Sequence, residues 1–319
     1  MRCARHCKRW LLRRSSLNSN NANPHTNPNL LDNWYFGNPV NQRGQSNYIG
    51  SGYSIDRWKN INDNLTLTLN SDGITLTCQG TYHNICQYIE NYNILAGVKV
   101  TVSALVTINS GSCMILLQGH KNGKEENLVQ INAYNISDND ILMTETVTLR
   151  NDVKDFSDFY FKIGNMSISS SIKIKAVKLE LGSEQTLCHN EGTEANPVWV
   201  LNEIPNYAEE LAKCQRYFLA IGMQPYSRVG IGTANSQSIA YINAFTPVTM
   251  RPCSSVSYSG SFVLETGSTT VIPTNISRDA SSQNCISLRV DAANLTIGAA
   301  YILRANNDAS ARVFISADL

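Results

Sequence analysis

Through most of its length the chain alternates apolar and polar residues one by one, in short runs. The run "LTLTLNSDGITLTCQG" (65–80) shows this twice, once on each side of Asn70-Ser71-Asp72-Gly73. Strict period-two alternation puts successive side chains on opposite faces of a strand, so each run predicts a strand with one face packed and the other wet. Asp-Gly at the tip predicts a tight hairpin, because glycine accepts positive φ without steric cost. "GVKVTVSALVTI" (97–108), "MILLQGHKNGKEENLVQINAY" (114–134), "TETVTLRND" (144–152) and "SIKIKAVKLELG" (171–182) continue the pattern. Lys121-Asn122-Gly123-Lys124 is a second hairpin signal. The opening "NLLDNWYFGNPVNQRG" and closing "IKIKAVKLELGSEQT" are expected to lie together as first and last strands. After Phe218 the alternation resumes in "RVGIGTA", "SIAYINAFTPVTM", "SSVSYSGSFVLET", "NCISLRVDAANLTIGAAYILRAN" and "ARVFISADL", with Ser/Gly/Asn/Asp clusters between them. The last of these predicts a terminus tied into a sheet.

One stretch departs from this period. In "WVLNEIPNYAEELAKCQRYF" (199–218) the apolar positions Tyr207, Leu211, Cys214 and Phe218 are spaced four, three and four apart, an a/d stripe on a helix. Asn206 after Pro205 is a good N-cap, Glu209 suits a capping box, and Lys213 and Arg216 complement the C-terminal end of the dipole. Such a helix is too short to stand alone. It either lids one β-domain or, in three copies, forms a seam about a three-fold axis. The predicted fold class is therefore all-β: two antiparallel, jelly-roll-like β-sandwich domains joined by one short α-helix. The expected division is a leader over 1–27, a first sandwich over 28–187, linker and helix over 188–218, and a second sandwich over 219–319.

Composition adds three constraints. At 319 residues, 42% hydrophobic and 16% charged, the chain suits two folded domains, each with its own core. The net charge of +1 hides six Lys or Arg within residues 1–14, without which 20 basic residues face 25 acidic ones. The body thus gives no reason to expect nucleic-acid binding, and no apolar run suggests membrane insertion. The basic stretch "MRCARHCKRWLLRRSS" resembles neither a secretory signal nor a membrane span, and Cys3, His6 and Cys7 lack a second ligand pair for zinc. With the polar run after it, it reads as a disordered leader or as translated sequence ahead of the natural start; a nucleic-acid or membrane-surface arm is the alternative. Nine scattered cysteines without a CxxC pair read as free, mostly buried thiols of a protein made in a reducing cytoplasm.

The residues also carry a resemblance. "NPNLLDNWYFGNPVNQRG…GYSIDRW", "LAGVKVTVSA" and "AVKLELGSEQT" resemble the carbohydrate-binding-module type of jelly roll, in the version found in tail and fibre proteins of bacteriophages and prophages. The similarity covers about residues 27 to 187. "Glu-Leu-x-x-Cys-Gln-Arg-Tyr-Phe", ending at Phe218, is similar to a junction in such proteins that leads into a C-terminal β-domain. The resemblance implies a virion appendage, typically homotrimeric, with the helix residues Tyr207, Leu211, Cys214 and Phe218 at the subunit interface. It also implies that a sugar site would use exposed aromatics on a concave sheet face or at loop ends. Tyr48, Tyr82 and Tyr88 lie in polar context and are the candidates, whereas Trp58 is expected in the core. Many sugar-binding jelly rolls hold a calcium ion near an acidic residue ahead of the final V-x-L strand. Lys175 and Ala176 stand there, so no metal and no other cofactor is expected.

No GxSxG, HExxH or phosphate-binding loop occurs, and the candidate acids Glu125, Glu126, Asp138 and Asp140 read as solvated hairpin-tip charge. His83, His120 and His189 are scattered through polar segments. The expected function is that of a non-enzymatic, structural and adhesive virion protein, a phage tail fibre or tail-tip protein that contributes to host-surface glycan recognition. It would be made in the bacterial cytoplasm and partnered by other tail proteins. The alternatives are a glycan-degrading enzyme of the same particle and a capsid-decorating head fibre.

Overall fold

The computed structural model describes residues 26–134, 139–165, 169–267 and 269–319. The basic segment with Cys3, His6 and Cys7, and the acid Asp138, lie outside the described residues. The protein is all-β and antiparallel, with one α-helix, Tyr207–Gln215, among the described residues.

The first unit is a sandwich of two six-stranded sheets. The back sheet runs in the order Asn47–Ile49, Leu65–Asn70, Gly73–Cys78, Ser170–Leu181, Lys99–Ser110, Ile141–Thr148. The front sheet runs Gly52–Tyr53, Lys59–Asn60, Asn84–Tyr88, Asp158–Gly164, Cys113–Lys121, Lys124–Ala133. Both hairpin signals form. Lys121 pairs with Lys124 across Asn122 (φ 53°) and Gly123 (φ 75°), the left-handed pair that a tight two-residue turn requires. In the other hairpin Asn70 pairs with Gly73, so Ser71 and Asp72 form the tip. Gly73 is needed for a different reason, since a Cβ there would meet the Ile174 carbonyl oxygen at 2.5 Å.

Trp58 fills the space between the sheets, fully buried, edge-on to Phe36 (5.3 Å) and Phe161 (6.1 Å), with its Nε1 donating to the Asn33 carbonyl at 2.9 Å. A buried indole keeps its polar handle satisfied in this way. The opening segment runs along the last long strand: Leu30 N donates to Leu179 O (2.8 Å), Val177 N to Trp34 O (3.1 Å), and Tyr35 bridges Ala176. The first and last segments of the sandwich therefore pair, as the sequence suggests.

The second unit packs the three-stranded sheet Phe218–Gly222, Arg312–Ser316, Ser255–Ser259 against a seven-stranded sheet built on Ala300–Ala305, Arg228–Ala234 and Ile239–Phe245. Its core, with Ile242, Leu288, Tyr301, Leu303 and Ile315, is separate from the first, which runs from Leu31 to Cys188. The last strand lies in the middle of its sheet.

The helix corrects one expectation. Asn206 does cap it, accepting from Ala208 N at 3.0 Å. Cys214 and Phe218, however, are 0% and 4% exposed within this single chain and cannot serve as subunit contacts; Leu211 is half-buried and Tyr207 is 44% exposed. The helix lies between the two sandwiches, and the C-terminal half of its apolar stripe, Cys214 and Phe218, is buried there. Glu210, buried on the same side, accepts from Asn33 N (2.6 Å) and from Lys213 Nζ (2.6 Å), fastening the helix to the first sandwich.

The residues that follow complete the seam. Arg57 lies over the Tyr217 ring at 3.5 Å, and Arg43 over the Phe218 ring at 3.7 Å. Glu90 pairs with Arg216 (3.1 Å) and Arg251 (2.6 Å), and Gln42 Nε2 donates to the Phe218 carbonyl (2.7 Å). Tyr53 donates its hydroxyl to the Leu319 carbonyl. Arg43 also bridges two carboxylates, Asp56 at 3.1 Å and Asp318 at 2.7 Å.

Burial pushes the Asp56 carboxyl up to about 7, against the lowering effects of Arg43 and Gln42. Because the folded value lies above the ordinary 3.8, Asp56 favours folding most when protonated. Its contribution is full below about pH 4 and is lost as pH rises to about 7. The difference in unfolding free energy between the native chain and Asp56→Asn should therefore fall across that window, by on the order of 4 kcal/mol. Urea titrations of both proteins from pH 4 to pH 8 measure it.

Candidate functional site

The outer face of the front sheet is concave. In Asp158–Gly164 the residues Phe159, Phe161 and Ile163 point into the core, so Tyr160 and Lys162 point outward. Register sets their neighbours. Tyr160 lies opposite Tyr88 on one side and Gln118 on the other, and Lys162 opposite Cys86 and Leu116. Lys59 continues that row beyond Cys86, and Gln130 ends it beyond Leu116.

Two connected cavities follow this face. One, of about 600 Å³, is lined by Tyr82, Asn84, Met114, Gln118 and Asn127 among others. The other, of about 450 Å³, is lined by Lys59, Asn60, Cys86, Tyr88, His120 and Tyr160. Ile61, Glu125 and Lys162 line both, so the two form one groove across the sheet.

At its centre Tyr88 and Tyr160 meet edge to face at 5.3 Å, with the His120 ring 5.8 Å from Tyr160. Tyr160 is only 2% exposed and backs the more open Tyr88. Its hydroxyl donates to Glu125 Oε1 at 2.7 Å, and Lys162 Nζ donates to the same oxygen at 2.7 Å. The Lys162 hydrogen bond, with help from Tyr160, holds the Glu125 carboxyl below the usual carboxylate range. Burial and the Glu125 contact push the Tyr160 phenol up, and burial pushes the Cys86 thiol up to about 11. Glu125 therefore stays ionised and Cys86 stays a neutral thiol. His120 Nδ1 faces Asp158 at 2.9 Å.

The floor has an unusual polar feature. Asn84 and Gln118 are buried there, and Asn60, next to the groove-facing Lys59, is buried on the inner side of the sheet beneath them; the amide oxygen of each has no donor among the described residues. For two of them the assignment of nitrogen and oxygen is fixed by the partner, since Asn60 Nδ2 donates to Gly50 O (3.1 Å) and Asn84 Nδ2 to Tyr82 O (2.7 Å). Buried acceptors without donors are costly in a folded protein and mark a place where a donor is missing.

Of the three tyrosines singled out from sequence, Tyr82 and Tyr88 line this groove, Tyr82 being 59% exposed at its rim. Tyr48 does not. It is 6% exposed, pairs with Leu67 from an edge strand and turns its ring into the core, where burial raises its phenol to about 12. Glu125 is exposed beside its hairpin turn, as that reading has it, and in addition closes the Tyr160–Lys162 cluster. Glu126 pairs with Arg150, and Asp140 with Lys175 at 2.7 Å. Tyr160, Lys162, Lys59 and the three amides were not singled out; the alternation in "DFYFKIG" is the signal that puts Tyr160 and Lys162 on one face. Among the described residues, no three His, Cys, Asp or Glu side chains converge as a metal site.

No protein-family model and no curated protein matches the chain. Among solved structures, it is similar to the C-terminal family 22 carbohydrate-binding module of Clostridium thermocellum Xyn10B, at 9% identity over 52% of this chain and 98% of that one (TM-score 0.34). It is likewise similar to the xylan-binding module CBM15, at 15% identity over 50% and 97% (TM-score 0.32). A two-module Xyn10B chain carrying a family 22 module and a family 10 glycoside hydrolase, complexed with xylohexaose, matches at 10% identity over 46% of this chain (TM-score 0.35). The match spans only 30% of that chain. These neighbours are carbohydrate-binding modules or contain one; at such scores none of them carries an argument about this chain.

Gly164 pairs with the groove residue Asn84. A Cβ there would lie 2.1 Å from the His83 carbonyl oxygen and 2.5 Å from Asn84 Oδ1. Gly164→Ala should therefore lower stability by about 1–3 kcal/mol, read as a drop in the urea midpoint without a change in slope.

Proposed function

We propose that the groove is a non-catalytic glycan-recognition site. The observation that carries this reading is the pairing of an edge-to-face tyrosine platform, Tyr88 against Tyr160, with two donorless amide oxygens, those of Asn84 and Gln118, on the floor beside it. A sugar ring offers both complements: an apolar C–H face for the tyrosine and hydroxyl protons for the amides. Seating a hydroxyl on the floor asks a small rotation of the amide, because the oxygens are themselves covered. Hydrolysis of a glycosidic bond ordinarily needs two carboxyl groups flanking it. Among the described residues Glu125 is the single carboxylate lining the groove, and it is engaged by Lys162 and Tyr160, which favours binding over cleavage.

The setting we infer is a phage or prophage appendage, a tail fibre or tail-tip protein meeting host-surface glycans. It rests on the sequence resemblance of the jelly roll and of the Cys214-Gln215-Arg216-Tyr217-Phe218 junction. Shallow grooves of this kind bind weakly one at a time, and a homotrimer would convert weak contacts into firm attachment.

Two measurements test these readings separately. In affinity electrophoresis against a panel of soluble polysaccharides, the chain should be retarded by at least one, and Tyr88→Ala should weaken that binding on the order of tenfold. Retardation by none, or an unaffected variant, would remove the groove from consideration. Light scattering on the full chain should give three times 35.3 kDa for the homotrimer, and a monomer mass would discard it.

A further inference from the structure

The groove's charge goes further than its shape. Among the described residues, Lys59, Lys162 and Glu125 line it. Glu125 is paired with Lys162 at 2.7 Å. His120 faces the carboxylate of Asp158. Lys59 has no carboxylate partner among the described residues. Its ammonium lies instead near two tyrosine rings, 5.7 Å from the centroid of Tyr53 and 6.0 Å from that of Tyr88. The groove thus carries one uncompensated positive charge beside its aromatic platform, on a body that without residues 1–14 has more acids than bases. A half-buried lysine near two tyrosine rings, with no carboxylate partner among the described residues, is placed to meet an anion supplied by the ligand.

Resting on the glycan-groove reading above, we propose that the site selects glycans bearing carboxylate groups, uronate-type polymers, and that Lys59 reads the charge. A pyranose stacked on Tyr88 carries its exocyclic C6 group past the ring edge, within reach of a side chain as long as lysine. A C6 carboxylate there meets Lys59, while the remaining hydroxyls face the amides of Asn84 and Gln118. A neutral hexose at the same place leaves the ammonium as it is in the free protein.

The test compares polygalacturonate with the same polymer fully methyl-esterified, and alginate with its neutral propylene glycol ester, each against the full chain by affinity electrophoresis at low and high salt. The acidic form of at least one pair should bind more tightly than its ester, with a preference of about threefold to fivefold that shrinks with salt. Lys59→Gln should weaken binding to the acid more than binding to the ester and so abolish that preference, and Lys59→Arg should restore it. Equal binding of acid and ester, or a preference untouched in Lys59→Gln, overturns the proposal while leaving the groove reading intact. Binding to neither form of either pair overturns it too, and if the wider neutral panel and Tyr88→Ala are also silent, the groove reading falls with it.

Discussion

The stack of Arg57 on Tyr217 joins three parts of this structure at one side chain. Arg57 is almost wholly buried and sits at φ 72°, a left-handed conformation that is costly for an arginine. It is held there from three directions. Its Nε donates to Asp32 (3.0 Å), its Nη2 to the carbonyl of Tyr88 (2.9 Å), and its plane lies on the Tyr217 ring. One guanidinium therefore links the opening segment, the strand that carries the groove's platform, and the first residues of the second domain. A lysine could not replace it, because the arrangement uses a flat face and a fork of donors at once.

Around that stack the seam is polar and aromatic rather than greasy. Arg43 repeats the motif on Phe218, and Glu90 gathers Arg216 and Arg251. Seams of this composition gain less from burial than an apolar core does, and gain orientation instead. Asp56 shows the cost. It is fully buried, and a single half-shared guanidinium does not repay its desolvation, so its carboxyl drifts toward neutral.

Much of the fold is legible in the residues, and much of the groove is not, for a physical reason. Alternation and turn chemistry are local, so the strands, the Asn122-Gly123 turn and the burial of Trp58 can be read directly. The groove is assembled across the front sheet, with Lys59, Tyr88, Leu116, Glu125 and Lys162 coming from five different strands. Register between those strands is a property of the whole sheet. Tyr48 misleads because its polar neighbours suggest a loop, whereas a three-residue edge strand turns it inward. The stripe Tyr207, Leu211, Cys214, Phe218 misleads differently. The period is real, but amphipathicity says only that a face is covered, not by whose chain.

Glu90 lies two residues beyond Tyr88 along the same segment. A tug on anything stacked against Tyr88 travels along that segment into the ion pairs with Arg216 and Arg251, and through Arg57 into Tyr217. Two fasteners in parallel, one electrostatic and one aromatic, then share the strain between the sandwiches. The platform residue Tyr88 and the joint residue Glu90 thus belong to one three-residue segment, and both fasteners begin there.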